Sequence, residues 1–182
     1  MTGDGLGRLR ALLREEGGLM ATLVDRAGDA GRGRRVEPAD SPARLAAGGP
    51  RTAGRSEEYE LLVEAIYEGY LLHYGAPRVV CAPEADLGLL AGDQLYAIGL
   101  ARLVALGDTA AVAELADTIT LSALAHGAGE TALAEAVWTA CARAVGWGSS
   151  EEHRRAKALA FAGAPDAIEA MRTSAAGVPA SP

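Results

Sequence analysis

Four glutamates recur at intervals of three and four residues in one stretch of the sequence, at Glu57, Glu60, Glu64 and Glu68. On a helix this spacing places the four carboxylates on one face, where they could bind a cation or arginine side chains. Like charges four residues apart cost about 0.2–0.5 kcal/mol per pair on an isolated helix. The commoner interpretation of such a stripe is a solvated face. The alternative is a docking strip for an arginine-rich segment, either residues 26–55 of this chain or a partner.

Tyrosines form a second stripe on the same predicted helix, beside the glutamates. Tyrosine combines an apolar ring with a polar hydroxyl, so such a stripe more often packs at the rim of a core than binds a ligand. The candidate interaction face on this helix combines both stripes: Glu57, Glu60, Glu64, Glu68, Tyr67, Tyr70 and Tyr74.

Histidine and cysteine, the usual zinc ligands, are few and far apart. His73, His126 and His153 lack His-x-x-x-His spacing, and Cys81 and Cys141 lack Cys-x-x-Cys spacing. The sequence contains no phosphate-binding loop, no nucleophile elbow and no aspartate-rich cluster that could hold magnesium. We therefore predict no catalytic residue, no metal site and no cofactor. The N-terminal residues lack a signal-peptide pattern, so we expect a cytoplasmic protein with reduced, buried cysteines.

The elements that position these residues are predicted to be helices. Aromatic residues make up 4% of the chain, and alanine, leucine and valine dominate the apolar ones, a composition that disfavours sheets. We expect an all-α fold, a compact antiparallel bundle of about five helices over residues 56–173. Apolar spacing, caps and stop signals place the helices at 56–74, 84–106, 109–126, 130–145 and 149–162, followed by a short one at 165–172.

Two segments precede the predicted bundle. Residues 1–26 have leucines at helical spacing and are expected to form a short amphipathic helical segment. Residues 27–55 contain almost no large apolar side chain, so we predict a disordered linker. This arm is interpreted either as a flexible spacer or as a docking peptide whose first helix lies in a partner's groove. Residues 174–182 are expected to be a flexible tail.

The second predicted bundle helix is the most apolar part of the chain, since few polar side chains interrupt residues 87–106. Asp93 and Arg102 do so, and either costs about 2.5–3.5 kcal/mol at the centre of a membrane span. We therefore predict no transmembrane segment. We expect instead a helix at the centre of the bundle, with neighbours on several sides.

Three glycines lie inside this helix, at Gly88, Gly92 and Gly99. Glycine in a helix interior costs about 1 kcal/mol relative to alanine. Close approach of another helix would explain this cost, so the three glycines are predicted to mark a helix crossing. Asp93 follows Gly92 and is either a functional acid or, more commonly, a residue hydrogen-bonded to a neighbouring helix.

Charge is distributed unevenly along the chain. Residues 1–55 contain ten arginines and seven acidic residues, whereas residues 56–182 contain seven basic and seventeen acidic residues, which gives a net charge of −7. Nucleic-acid binding requires basic side chains that neutralise phosphates. The acidic body therefore argues against a nucleic-acid partner.

Residues 89–108 read LLAGDQLYAIGLARLVALGD, a leucine-rich helix with one Gly-Asp pair inside it and a second at its end. The preceding AIYEGYLLHYGAPRVV contains Leu72-His73, and the following AVAELADTITLSALAHGAG forms the next predicted helix. Over about residues 60–129 the sequence resembles the trans-polyprenyl diphosphate synthases, in particular the heptaprenyl type. This resemblance rests mainly on the Gly-Asp helix.

The resemblance implies a site where two aspartate-rich clusters hold magnesium for the departure of an allylic diphosphate. The first cluster would follow His73, but Tyr74 and Gly75 stand where the family has two aspartates, and no second cluster follows. His73 and Asp93 are therefore degenerate positions of that site. The resemblance thus implies the small, non-catalytic component of a two-component synthase, which activates a catalytic subunit and helps to set product length.

Three functional hypotheses follow. The first is this non-catalytic subunit or pseudo-enzyme, acting in a homo- or hetero-oligomer with a catalytic prenyl synthase subunit as the expected partner. The second is a helical protein-interaction module, tethered by the arm and unrelated to isoprenoids. The third is an enzyme that uses an unfamiliar set of acids, such as Glu64, Glu68 and Asp93. An apolar tunnel beneath the first two bundle helices would favour the first hypothesis over the second, because a prenyl chain needs such a cavity.

Overall fold

A computed structural model describes residues 5–29 and 41–176, with side chains left undescribed at 25–29. Within these residues all regular structure is helical and no strand is present, so the all-α prediction is confirmed. The described helices number nine: α1 (Gly5–Glu16), α2 (Gly18–Asp29), α3 (Pro42–Ala47), α4 (Ser56–Tyr74), α5 (Ala85–Ala105), α6 (Thr109–Gly127), α7 (Thr131–Trp147), α8 (Glu151–Phe161) and α9 (Ala167–Ala176). The five predicted bundle helices correspond to α4–α8, and α3 and α9 pack onto them, so the count of five is too low.

The starts of α8 and α4 compare differently with the sequence expectation. α8 was expected to begin at residue 149, but it begins at Glu151, and Ser150 caps it because its side chain accepts the N–H of His153 at 3.0 Å. α4 begins at Ser56 as expected, and the Ser56 hydroxyl donates to the carbonyl of Thr52 at 3.3 Å. The preceding turn already leads the chain into the helix, so the N-terminal cap lies one residue earlier.

Three apolar clusters hold the helices together. The first contains Ile66 of α4 and Trp138 of α7, and all five helices from α3 through α7 contribute to it. The second contains Met171 of α9, and all four helices from α6 through α9 contribute to it. The third surrounds Leu95 of α5 and joins α1 and α2 to α4 and α5. Because each fully buried Leu, Ile or Met side chain contributes about 1.5–3 kcal/mol, these clusters supply the main driving force for folding.

Residues 41–55, predicted to be part of a disordered linker, form α3 and the turns after it. Ala46 has no exposed surface, and Gly49 approaches Gly146 of α7 so closely that a Cβ on Gly49 would lie 2.1 Å from the Gly146 carbonyl oxygen. The expectation counted large apolar side chains, whereas this segment packs through small ones and through backbone contact. The remainder of that linker beyond α2, residues 30–40, lies outside the described residues.

The N-terminal helices pack on the chain itself. Leu9 and Leu13 of α1 have no exposed surface, and both belong to the third apolar cluster. The N–H of Cys81 donates to the carbonyl of Leu23 in α2 at 3.1 Å. The groove that receives α1 is therefore formed by α4 and α5 of this chain. This differs from the hypothesis that the first helix lies in a groove of a partner protein.

The C-terminal boundary also shifts. α9 extends to Ala176, so residues 174–176 are helical and do not belong to the predicted flexible tail. Ser174 is buried and donates to the carbonyl of Met171 at 2.9 Å. The contact of Ser174 Oγ with His153 Nδ1 at 3.3 Å and the full burial of Met171 hold the end of α9 against the bundle. Residues 177–182 lie outside the described residues.

α5 does not occupy the central position that its apolar sequence predicted. Its most apolar 18-residue window has a mean hydropathy of 1.3, yet only 33% of that window is buried. Leu90 and Val104 are each 57% exposed. Among the described residues α5 is the one helix long and apolar enough to cross a membrane, which by itself is weak evidence because soluble core helices pass the same test. α5 therefore packs along one face and leaves an apolar face uncovered by the described residues.

Two of the three α5 glycines lie where the backbones of α4 and α5 meet. A Cβ on Gly99 would be 2.4 Å from Cγ1 of Ile66, and a Cβ on Gly92 would be 3.1 Å from the carbonyl oxygen of Gly69. A Cβ on Gly88 would find its nearest neighbour at 3.7 Å, which is an ordinary contact. The helix crossing is thus built on Gly92, Gly99 and, from α4, Gly69.

Candidate interaction face and buried clusters

The predicted acidic stripe of α4 divides into an exposed end and a buried end. Glu57 is exposed, as the solvated interpretation requires. Glu60 is partly buried and pairs with Arg8 of α1 and, at 3.5 Å, with Arg44 of α3. Arg44 belongs to the arginine-rich segment 26–55, so this part of the stripe binds the chain's own arm.

Glu64 and Glu68 are almost fully buried and share Arg78 as their ion-pair partner. Arg78 Nη2 donates to Glu64 Oε2 at 2.6 Å, and its Nε donates to Glu68 Oε2 at 3.2 Å. Glu68 Oε1 also accepts the backbone N–H groups of Arg78, Val79 and Val80 at 2.6–3.1 Å. A buried carboxylate requires such partners. These two glutamates therefore fix the α4–α5 connection against α4 and are not part of an exposed docking strip.

Four aromatic rings stack in series at the C-terminal end of α4. The rings of Tyr96 and His73 are 5.4 Å apart with an interplanar angle of 3°, and those of Tyr74 and His126 are 4.3 Å apart with an angle of 2°. His73 and Tyr74 join the two pairs, with ring centroids 5.7 Å apart. The stack thus links α4 to both α5 and α6.

The other two tyrosines of the predicted face belong to the core. The Tyr70 hydroxyl oxygen lies 3.0 Å from His126 Nε2, and burial raises the pKa of Tyr70 to about 12. Tyr67 packs edge-on against Trp138 with ring centroids 4.8 Å apart. Tyr74 is 41% exposed, so of the three it is the one that faces solvent. The predicted face therefore does not form one continuous surface.

His73 and Asp93, which the resemblance predicts to be degenerate positions, lie side by side. His73 Nε2 is 3.1 Å from Asp93 Oδ1, and the Asp93 side chain is 69% exposed. One carboxylate beside one imidazole can orient a polar group or exchange a proton with it. Metal-assisted departure of a diphosphate requires several converging carboxylates, and this pair supplies one.

The exposed side of α5 carries apolar side chains that sequence analysis did not single out, with Asp93 and Gln94 exposed among them. We call it the α5 face and define it by Leu90, Ala97, Ala101 and Val104, which are all exposed. Their spacing of seven, four and three residues places them on one side of the helix. The sequence shows that this helix is apolar. Only the three-dimensional structure shows that the described residues leave these side chains exposed.

A buried polar cluster between α6, α7 and α8 also escaped sequence analysis. His153 Nε2 lies 2.5 Å from Glu114 Oε1, and Lys157 Nζ donates to Glu114 Oε2 at 2.9 Å. The Cys141 thiol lies beside them, with its sulfur within 4.8 Å of the ligand atoms of Glu114 and His153. These residues are 27 and 12 positions apart in the chain, so no local spacing could reveal them.

Ionisation in this cluster is set by burial and hydrogen bonding. Burial opposes ionisation of Glu114, but the hydrogen bonds and charges of His153 and Lys157 outweigh it and lower the pKa of Glu114. Burial raises the pKa of the Cys141 thiol well above its usual value. The cluster therefore contains an ionised glutamate and a protonated thiol at neutral pH. Both cysteines were predicted to be buried; Cys141 is buried, whereas Cys81 is partly exposed.

α4 and α5 lie in direct backbone contact where they cross. Gly69 and Gly92 bring the two backbones together, and the Glu64–Arg78–Glu68 ion pairs occupy the adjoining interior. Surface grooves lie beside α9, against α7 and against α8. No family model, curated protein or solved structure matches the chain significantly.

Proposed function

We propose that this protein is a non-catalytic helical subunit that binds a partner protein through the α5 face. The observation behind the proposal is the mismatch between the composition of α5 and its burial, since a helix with a mean hydropathy of 1.3 is only 33% buried. Exposed apolar patches of this kind mark interaction sites on soluble proteins. The rest of the chain supplies a rigid support, because Gly92 and Gly99 fix α5 tightly on α4.

The α5 face has the shape that helix pairing requires. Ala97 and Ala101 at its centre permit close approach of another helix, and Leu90 and Val104 at its two ends provide larger apolar side chains. Burial of one such large side chain contributes about 1.5–3 kcal/mol, which is the scale of an interface hot spot. The partner that fits this surface is another helix with an apolar stripe.

The partner that we propose is a catalytic prenyl diphosphate synthase subunit. Support comes from the resemblance of residues 60–129 to that family, in which the Gly-Asp helix is α5 itself. In this proposal Tyr74 and Gly75 stand where the family has two aspartates, so the site beside His73 and Asp93 holds no magnesium. In this proposal the subunit modulates chain elongation by its partner and does not bind the diphosphates.

A second candidate function is an interaction module unrelated to isoprenoids. It is favoured by the buried charges of Glu64, Glu68 and Arg78 beside the crossing of α4 and α5, where a prenyl-binding protein was expected to have an apolar tunnel. Buried charges are unsuited to contact with a hydrocarbon chain. In this alternative the α5 face is retained but its partner has another activity.

Co-expression with the prenyl synthase of the same cell tests the proposal. We expect the two chains to co-purify and prenyl transfer to increase in the mixture. The double substitution Leu90→Asp and Val104→Asp should abolish both effects, whereas Phe161→Asp on α8, another exposed apolar residue, should preserve them. Co-purification of a different protein through the same face would support the second candidate. Equal binding by the double variant would contradict the role of the α5 face.

A further inference from the structure

We propose that Glu114, Cys141 and His153 form a zinc-binding site at the junction of α6, α7 and α8. Their Oε, Sγ and imidazole nitrogen atoms all lie within 4.8 Å of one another, and all three residues are buried. Sulfur, nitrogen and carboxylate oxygen are the donor types that zinc prefers. The inference concerns a part of the molecule that is separate from the α5 face and does not depend on the proposed partner.

The distances are compatible with one ion after small side-chain movements. Tetrahedral zinc with bonds of about 2.0–2.3 Å separates its ligand atoms by about 3.3–3.6 Å. His153 Nε2 and Glu114 Oε1, now 2.5 Å apart, must open by about 1 Å to bind the same ion. The Cys141 sulfur, within 4.8 Å of both, must approach by at most about 1.3 Å. Three protein ligands leave the fourth tetrahedral position for water.

The surroundings of the cluster match those of protein metal sites. Metal-bound histidines usually hydrogen-bond through their second nitrogen, and His153 Nδ1 lies 3.3 Å from Ser174 Oγ. Lys157 Nζ donates a hydrogen bond to Glu114 Oε2. This bond orients the carboxylate and leaves Oε1 to face the imidazole and the thiol. Asp117 Oδ2 in turn accepts from Lys157 at 2.7 Å. His153 and Glu114 are thus each held in place by a further side chain.

Charge also balances when the ion binds. With zinc, a Cys141 thiolate and neutral His153, the charges of Glu114, Asp117 and Lys157 bring the cluster to zero. The step forms bonds from zinc to Cys141 Sγ, His153 Nε2 and Glu114 Oε1. It releases to solvent the thiol proton and any proton held between His153 Nε2 and Glu114 Oε1, without any change of oxidation state. Because burial keeps the thiol protonated in the metal-free protein, zinc binding must release at least this proton.

The test uses the full-length chain, freed of metal and titrated with zinc chloride or cobalt chloride. We expect one ion per chain, a higher melting temperature and, with cobalt, a thiolate-to-cobalt charge-transfer band. X-ray absorption of the zinc protein should show one sulfur at about 2.3 Å. Absence of stoichiometric binding, or a zinc shell without sulfur, would overturn the proposal.

Two cysteine variants separate this site from surface binding. Cys141→Ser should lose the tight ion and the charge-transfer band, whereas Cys81→Ser should retain both. Ser174→Ala removes the partner of His153, together with the hydrogen bond to Met171, and should weaken zinc binding about 10–100-fold. Unchanged binding in Cys141→Ser, or loss in Cys81→Ser, would contradict the assignment. The absorption spectra of the unmodified protein decide the matter if Cys141→Ser fails to fold.

Discussion

The crossing of α4 and α5 predicts opposite effects for two glycine-to-alanine substitutions in the same helix. A Cβ on Gly99 would lie 2.4 Å from Cγ1 of Ile66 and 3.1 Å from the carbonyl oxygen of Leu62. Ile66 is fully buried, so neither neighbour can move aside at low cost. A Cβ on Gly88 meets its nearest atom at 3.7 Å and fits without displacement.

The magnitudes follow from two terms. Alanine gains about 1 kcal/mol over glycine in a helix, and this gain applies to both positions. Overpacking a filled core costs about 1–3 kcal/mol, and this cost applies only to Gly99→Ala. We therefore expect Gly88→Ala to stabilise the protein by up to about 1 kcal/mol and Gly99→Ala to destabilise it by as much as about 2 kcal/mol.

Thermal unfolding measured by calorimetry provides the assay. For a chain of this length about 1 kcal/mol shifts the melting temperature by about 2–4 °C, so the two variants should differ by about 2–12 °C. The comparison removes most of the helix-propensity term, because both substitutions lie in α5. Equal melting temperatures for Gly88→Ala and Gly99→Ala would refute the close crossing and, with it, the rigid support proposed for the α5 face.

Three further predictions concern other parts of the fold. Glu68→Ala leaves Arg78 with fewer partners in the interior, and the free energy of unfolding should fall by about 3–5 kcal/mol in urea titrations. A loss below about 1 kcal/mol would contradict the assignment of Glu68 and Arg78 as a buried ion pair. Since the folded pKa of Glu114 lies below its usual 4.5, its contribution to stability is present above that pH and lost as the pH falls through the folded value. Glu114→Gln should therefore flatten the acid dependence of unfolding, and an unchanged acid profile would count against this ion pair. Gly49→Ala should detach residues 41–55 from Gly146 and expose them to limited proteolysis, whereas resistance equal to that of the unmodified chain would show that the contact is not required.

The helical core was predictable because its signals are local. The extent of α4 from Ser56 to Tyr74 and the start of α6 at Thr109 follow from apolar spacing and from the glycine or aspartate beside these ends. Glycine within an apolar helix correctly indicated a crossing at Gly92 and Gly99, since only a close neighbour offsets the intrinsic cost. These inferences require no knowledge of which helices become neighbours.

The remaining features depend on tertiary contacts. Glu64 and Glu68 have the spacing of a solvated face. Their burial depends on the segment after α4, which folds back so that Arg78 pairs with both carboxylates. Residues 41–55 lack large apolar side chains, so their packing through Gly49 and Gly146 has no compositional signal. The cluster around Glu114 combines residues from three helices, which no sequence spacing can bring together.

Native mass spectrometry of the co-expressed proteins tests the central claim most directly. The sample contains this chain and the prenyl diphosphate synthase of the same cell, with the α5 face either intact or carrying Leu90→Asp and Val104→Asp. The proposal predicts a stable complex of both chains with the intact face and separate components with the double variant, each still folded by circular dichroism. No complex with the intact face, or the same complex with the double variant, would contradict it.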